Sequence, residues 1–471
     1  MALGIGYGLP FVAQHGTNPY KTQWAAALEG AKGAGATVED ENAGTGSCLV
    51  ARGQEAYTDG LPATPSLLIV PQFYKAGNLY QDVPPFVAED STMRFTVSRN
   101  TTATRVNSSG LIDSVASGVP RIDWLGQSCP ALLVEASGQN LCLQSEAIGI
   151  TSWSNTAVTA SPNVSATLDP AGGNTAEKII ATAVSGNHFT TRAASTQVGQ
   201  HTFSVFAKVA EYSFIRLQDF NTAKYNVWYD LVSGTANGTG ASIQNYGNGW
   251  YRCIVTYDGS GASVANGLVG VPVSGGGVSY TGDGTSGVYV WGAQLETGSV
   301  ATTYIPTTTA AVSRAADVIS ASGALVSGLI GQMEGTVYAE FEIRSDSTTR
   351  RLFGLSDGTQ LNRVFLYYTS NALRAQIQST DISLGNPAAG YHKVAFAYQQ
   401  SGVSGTLFAS LDGGAVVSGT AGTFPSALKE VFFGKREDSA DTQQWNARIR
   451  SAAIYTTRLS NEQLANLTRL T

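Results

Sequence analysis

Glu340 and Glu342 are spaced i, i+2 in the run GTVYAEFEIRS, whose alternation predicts a strand. On one strand face, two carboxylates are the arrangement a retaining glycosidase uses, with acid and nucleophile about 5 Å apart. Only two acids stand in this run, and Ile343 and Arg344 follow them. Such a pair on an outward face is ordinarily solvated, so hydrolysis is not the expected chemistry. Glu135 closes the apolar run ALLVEA, where a nearby arginine such as Arg121 or Arg105 would hold it in a structural ion pair. Asp346, Asp357, Asp438 and Asp441 are the loop acids available to a hard cation, but no D-x-D-x-D run gathers them. His15, His188, His201 and His392 are isolated, and no H-E-x-x-H, G-x-S-x-G or Walker loop occurs. The run Ser274–Gly277 is a turn with no helix after it to bind phosphate. No catalytic residue, metal or cofactor is expected, and the chain reads as a protein other than an enzyme.

Composition agrees with that reading. Of 471 residues only 13% are charged, Gly reaches 53, and hydrophobic residues are 43%. This is a many-stranded, tight-turned β protein with enough apolar content for real cores. A net charge of −6 disfavours nucleic-acid binding, which needs a basic surface to displace counterions. Cys48, Cys129, Cys142 and Cys253 have neither C-x-x-C nor zinc spacing and read as buried free thiols. No stretch approaches the ~20 apolar residues of a membrane helix, so no membrane insertion is expected. MALGIGYGLPFVAQ lacks a basic start and a long apolar run, which places synthesis and folding in a cytoplasm.

The elements that must position these groups are strands almost throughout. Residues 1–90 are broken by Pro10, Pro19, Pro62, Pro65, Pro71, Pro84 and Pro85. They read as an irregular anchor region with one helix near Thr22 to Lys32 and short runs such as SLLIV and FYKAGNLY. Residues 91–318 supply MRFTVSR, ALLVEA and then about eight strand candidates at sandwich spacing. Tyr251, Cys253 and Val255 share one face there, and Trp250, Arg252, Ile254 and Thr256 the other. In VYVWGAQLE, Tyr289 and Trp291 oppose Val288 and Val290. Bulk on both faces suggests that one meets a neighbouring subunit. Residues 319–471 form a second strand series with an Asp-Gly hairpin turn at 411–414. It closes on a short helix capped by Ser460 and Gln463. The fold class expected is all-β: two consecutive β-sandwich or jelly-roll domains, 91–318 and 319–471, after the 1–90 anchor.

The run Trp291-Gly-Ala-Gln-Leu-Glu296, followed by Thr303-Tyr-Ile-Pro-Thr307 and Arg314-Ala-Ala-Asp317, resembles a segment of bacteriophage tail, fibre and other virion structural proteins. An upstream block belongs to the same pattern: Arg94-Phe95, Arg105, Asn107, Gly110, Pro120-Arg121, Leu132 to Glu135, Asn140-Leu141, Ser145 and Trp153. In that family the segment closes a jelly roll like a carbohydrate-binding module. The close of the chain, from Gly434-Lys435 through Trp445 to Ala447-Arg-Ile-Arg-Ser451 and Leu459-Ser460, resembles a laminin-G or concanavalin A-like domain. The resemblance implies a virion component, a tail fibre, spike or receptor-binding protein, attaching to host surface polysaccharide. It also implies assembly with other virion proteins, a homotrimer, and a place in the virion after synthesis in host cytoplasm. A capsid decoration or head-fibre protein, or a capsule depolymerase on the particle, are the alternatives. Carbohydrate-binding modules stack sugars on exposed aromatics with polar groups close by. Tyr225, Trp228, Tyr229 and Tyr246 are the candidates for that role, although core packing is the commoner fate of any one aromatic.

Overall fold

The structure is a computed structural model describing residues 37–38, 65–69, 73–75, 78–80, 94–127, 130–193, 195–344, 349–359, 362–434 and 443–470. It is all-β, built of antiparallel sheets, and 53% of the described residues are strand. It divides into two units, and the second is made of two segments inserted in the sequence of the first. The first takes in the described residues up to 102, with 115–136 and 315–470; the second is 103–114 with 137–314.

The first unit is a sandwich of two sheets. One runs in the order Thr37–Val38, Phe73–Lys75, Asn78–Tyr80, Arg94–Ser98, Val318–Ser322, Glu430–Phe433, Arg350–Ser356, Arg363–Thr369, Ala372–Ile377, Thr380–Ser383. The other runs Val417–Ala421, Ser404–Leu411, Gly390–Ser401, Glu334–Ile343, Ala447–Tyr455, Ala131–Val134, Arg121–Asp123. Leu67–Ile69 pairs with the far half of the 447–455 strand, Leu67 opposite Ile454. One apolar core fills the space between the sheets. Leu67, Phe95, Ile122, Leu132 and Val134 belong to it as fully as Phe341, Leu352, Phe396, Val431 and Ile454 do. The helix Asn461–Leu467 carries the expected capping box of Ser460 and Gln463, and buries Leu464 and Leu467.

These units divide the chain differently from the expected boundaries at 90/91 and 318/319. Strands from before residue 136 complete both sheets of a sandwich whose other strands come after 315. Pairing partners some 300 residues apart leave no local mark in a sequence. The 1–90 region was expected to lack a core of its own and to dock elsewhere. Its described strands instead extend the sheets of the first unit, with Leu67 and Ile69 essentially unexposed. The helix expected over 22–32 lies outside the described residues.

The second unit is also a sandwich. Its first sheet runs Trp153–Thr156, Phe189–Arg192, Asn266–Val271, Phe214–Asp219, Asn226–Asp230, Thr235–Asn237. Its second runs Val158–Ser161, Glu177–Ala181, Gly287–Thr297, Gln200–Val209, Trp250–Asp258, Ala241–Gly247. Ile215, Leu217, Val227, Tyr229 and Leu268 of the first meet Phe203, Val205, Cys253, Val255, Val288 and Val290 of the second. Cys142 and Cys253 are free and buried, and burial pushes both thiols up, Cys142 to about 12. Cys48 and Cys129 lie outside the described residues.

The bulky outer face of the second sheet is covered by this same chain, which corrects the expectation of a subunit contact there. Trp250 and Trp291 are buried and donate their indole N–H to Leu168 O at 2.9 Å and Thr175 Oγ1 at 2.8 Å. Arg252 donates to Thr302 O at 2.6 Å, and the Tyr304 ring sits 4.5 Å from Trp291. Gly292 makes this possible. A β-bulge falls beside it, its φ is +61°, and an added Cβ would lie 3.0 Å from the Phe206 ring. The bulge puts Gln294 and Glu296 on the covered face with Trp291, while Ala293 and Leu295 turn into the core. Asn140 then binds Ala293 O and Ile305 O, Gln294 accepts from Ile305 N, and Ser145 bonds Tyr304 and Thr307. The motif residues of this half thus form one hydrogen-bonded clasp on the arm that follows Gly287–Thr297.

Candidate functional site

The carboxylates with the most catalytic-looking spacing are held by arginines. Glu340 Oε1 accepts from Arg450 Nη1 at 2.9 Å, and the Arg450 guanidinium lies 3.4 Å from the centre of the Tyr391 ring. Glu342 Oε2 accepts from Arg448 Nη1 at 3.0 Å, and Arg448 also bonds Asp123 at 2.6 Å. Burial would raise the pKa of Glu342, but Arg344 and Arg448 outweigh it and hold the group below the usual carboxylate range. An acid kept ionised cannot protonate a leaving group near neutrality. Glu135 is fully buried against Arg121 at 2.8 Å, the structural pair the sequence suggests. Arg121 and Arg99 both reach Asp317 of the Arg314-Ala-Ala-Asp317 motif, so these motif residues form a buried ion cluster. Asp357 is spent on its own turn, accepting from Thr359 and Asn362. Asp346, Asp438 and Asp441 lie outside the described residues. Among the described residues no group of three or more His, Cys, Asp or Glu could hold a metal ion.

Not every buried acid among the described residues is paired with a cation. Glu177 is 2% exposed and accepts from Ile148 N at 2.5 Å. Burial, with Glu146 adding repulsion, pushes its pKa up to about 9 against that hydrogen bond. The folded state therefore holds this proton more tightly than the unfolded chain does. Its contribution is fully present below the unfolded value of about 4.5 and is lost as pH rises toward 9, by at most about 1.4 kcal/mol per pH unit. The Glu177→Gln variant is expected to lose less stability than the wild type between pH 5 and pH 9 in urea titrations. Parallel pH profiles for the two proteins would contradict the assignment.

The four aromatic candidates separate by strand parity. Tyr225 and Tyr229 point into the second unit's core, 5% and 0% exposed, with hydroxyls on Asn266 and on Ile254 O. Tyr246 is buried edge-on against Phe206. These three cannot stack a sugar, because odd positions of 225–229 face inward and the covering arm closes over Phe206. Trp228, at the even position, is half-buried on the outer face.

That outer face carries a coherent set of groups. Trp228 is the direct cross-strand partner of Arg216 on one side and of Asn237 on the other. Phe214, two residues from Arg216, meets the indole edge-on at 6.0 Å. Val269 and Val271 lie beside them on the neighbouring strand, opposite Arg216 and Phe214. The loop 273–277 borders the indole, and its carbonyls orient Arg216, whose Nε donates to Gly276 O at 3.0 Å and Nη2 to Gly275 O at 3.2 Å. Gly275, at φ +64°, sits with its Cβ position 3.7 Å from Trp228 Nε1. Further along the sheet Phe189 and Phe220 stack at 4.0 Å beside Gly267, where a Cβ would meet Phe220 at 2.6 Å. A partly open aromatic plane with amide and guanidinium groups at its margin can stack a pyranose ring and bond its hydroxyls. Sequence reading missed Phe214 and Arg216. The alternation of SFIRLQDF was the available signal, since it puts Phe214, Arg216 and Gln218 on one face.

No protein-family model and no curated protein matches the chain. Among solved structures, it is similar to the CBM40 of Ruminococcus gnavus IT-sialidase bound to alpha2,3 sialyllactose. Identity is 18%, coverage 30% of this chain and 84% of that one, and the TM-score 0.26. It is similar to the NanB sialidase of Streptococcus pneumoniae in its K499G form, at 18% identity, 30% and 25% coverage and TM-score 0.26. The receptor-binding domain of botulinum neurotoxin C/D mosaic serotype matches at 14% identity, 32% and 39% coverage and TM-score 0.25. Likeness at this level carries nothing about ligand or activity.

Proposed function

We propose that this chain is a structural component of a bacteriophage particle that attaches to host surface polysaccharide without cleaving it. The outer face of the 214–219 and 226–230 strands would be the contact. The observation that carries the glycan reading is the half-open indole of Trp228, flanked by Arg216, Asn237 and Phe214 on one sheet face. The phage setting, the virion location and the partner virion proteins rest on the sequence resemblance of the 94–153 and 291–317 blocks. A homotrimer rests on that resemblance alone, since Trp250, Arg252 and Trp291 are covered within the chain. The non-catalytic reading is favoured by Glu340 and Glu342, each engaged by an arginine.

The reading predicts that full-length protein binds immobilised host surface polysaccharide and releases no reducing ends from it. Trp228→Ala is expected to weaken binding at least about tenfold, as loss of one stacking plane and its bonded hydroxyls would. Its melting transition should stay close to wild type, because the side chain lies on the surface. Undiminished binding by the variant would refute the site. New reducing ends that vanish on Glu340→Gln would favour a depolymerase.

A further inference from the structure

We infer that the Trp228 face takes a sugar bearing a carboxylate, with Arg216 as the residue that selects it. The inference rests on the glycan reading above and adds the charge class of the ligand. Arg216 and Trp228 are paired across adjacent strands, so guanidinium and indole emerge side by side on the same face. Three of the five guanidinium N–H groups are used: Nε on Gly276 O, Nη2 on Gly275 O, and Nη1 on Asn226 Oδ1. One N–H on each terminal nitrogen remains for the oxygens of a carboxylate.

Among the described residues Arg216 has no carboxylate partner. Arg99, Arg121, Arg448 and Arg450 each rest on a carboxylate in the first unit. Arg216 has only carbonyl and amide oxygens around it. Asp230 shares its sheet face but accepts from Val232 N at 2.8 Å and Ser233 N at 3.1 Å, within its own turn. Asp219, at the end of the same strand, is enclosed by the N–H groups of Asn221, Thr222, Lys224 and Ala265. The partial covering of Arg216 by the 273–277 loop already costs its charge some hydration, and holds its pKa below the ordinary arginine value. A half-desolvated, pre-oriented cation beside an aromatic plane gains most from an anionic partner. Trp228 Nε1, Gln218 and Asn237 are left to bond ring hydroxyls.

The test is calorimetric titration of full-length protein with three probes: an oligogalacturonate, N-acetylneuraminic acid, and a neutral cello-oligosaccharide. At least one acidic probe is expected to bind about tenfold or more tightly than the neutral one, the scale of hydrogen bonds to a charged group. Which acidic probe does so separates a uronate from a sialate ligand. Arg216→Gln should abolish that advantage, lowering affinity for the acidic probe far more than for the neutral one, so that the ratio between them falls to about one. Raising salt from roughly 0.05 to 0.5 M should weaken only the acidic probe, a check that needs no variant. Equal affinity for acidic and neutral probes, with both lost in Trp228→Ala, would overturn the inference and leave the glycan site standing. An acid preference that survives Arg216→Gln would overturn the assignment to Arg216. Binding of none of the three, and of no host polysaccharide, would overturn inference and site together.

Discussion

Residues 319–471 expressed alone are expected to be insoluble, or to melt without a cooperative transition. That stretch contains the closing helix and a complete-looking run of strands, but it lacks seven described strands of its own sandwich, four of which bring side chains to the core. Leu67–Ile69, Ala131–Val134, Arg121–Asp123 and Arg94–Ser98 come from earlier in the chain. Without them one edge of the 447–455 strand is stripped of its partners. Leu67, Ile69, Phe95, Val97, Ile122, Leu132 and Val134 also leave the core. At about 1.5–3 kcal/mol for each fully buried side chain, that loss is as large as the ~5–15 kcal/mol by which a domain is stable. Joining 65–102, 115–136 and 315–471 through short Gly/Ser linkers should restore a cooperative melt. A cooperative transition for 319–471 alone would contradict the pairing.

Asp317→Ala is expected to cost about 3–5 kcal/mol in urea unfolding, the range for removing one partner of a buried ion pair. Asp317 is 1% exposed and accepts from Arg99 Nη1 at 2.8 Å, from Arg121, and from Glu135 N at 3.0 Å. Its loss leaves two buried guanidinium groups facing Glu135 alone among these partners. Arg105 and Asp113, paired at 3.1 Å but part-exposed, provide the comparison, since Asp113→Ala should cost less than about 1 kcal/mol. Similar small losses for both variants would show that the motif's acidic end is not a keystone of the fold.

Much of this architecture was legible in the alternation of apolar residues, and the parts that were not have specific causes. Strands such as Gly287–Thr297 and Glu334–Ile343 announce themselves by period two, and the Ser460 capping box by its spacing. Glu135 beside Arg121 could be foreseen because an acid ending an apolar run needs a cation. Strand partnership could not, because Leu67 and Ile454 meet without any local pattern linking them. The outer aromatics Trp250 and Trp291 looked like subunit contacts because alternation reports a face, not what lies on it. Thr302 and Tyr304 cover that face from an arm that reads as loop. The sugar-site reading named Trp228 with Tyr225 and Tyr229, although one strand cannot present adjacent odd and even residues to the same side. Parity applied to both neighbouring strands yields Phe214, Arg216 and Trp228 instead.

The central claim, that sugars dock on the outer face of the 214–219 and 226–230 strands, is tested most directly by the fluorescence of Trp228. Among the described tryptophans it alone is not buried; Trp124, Trp153, Trp250, Trp291 and Trp445 are all 8% exposed or less. Host surface polysaccharide titrated into full-length protein should shift the emission to shorter wavelength and shield a fraction of it from acrylamide. Both changes should be absent in Trp228→Phe, whose emission is the background of the other tryptophans, Trp24 included. Saturable polysaccharide binding with no change in emission or quenching, or the same change in the variant, would contradict the account.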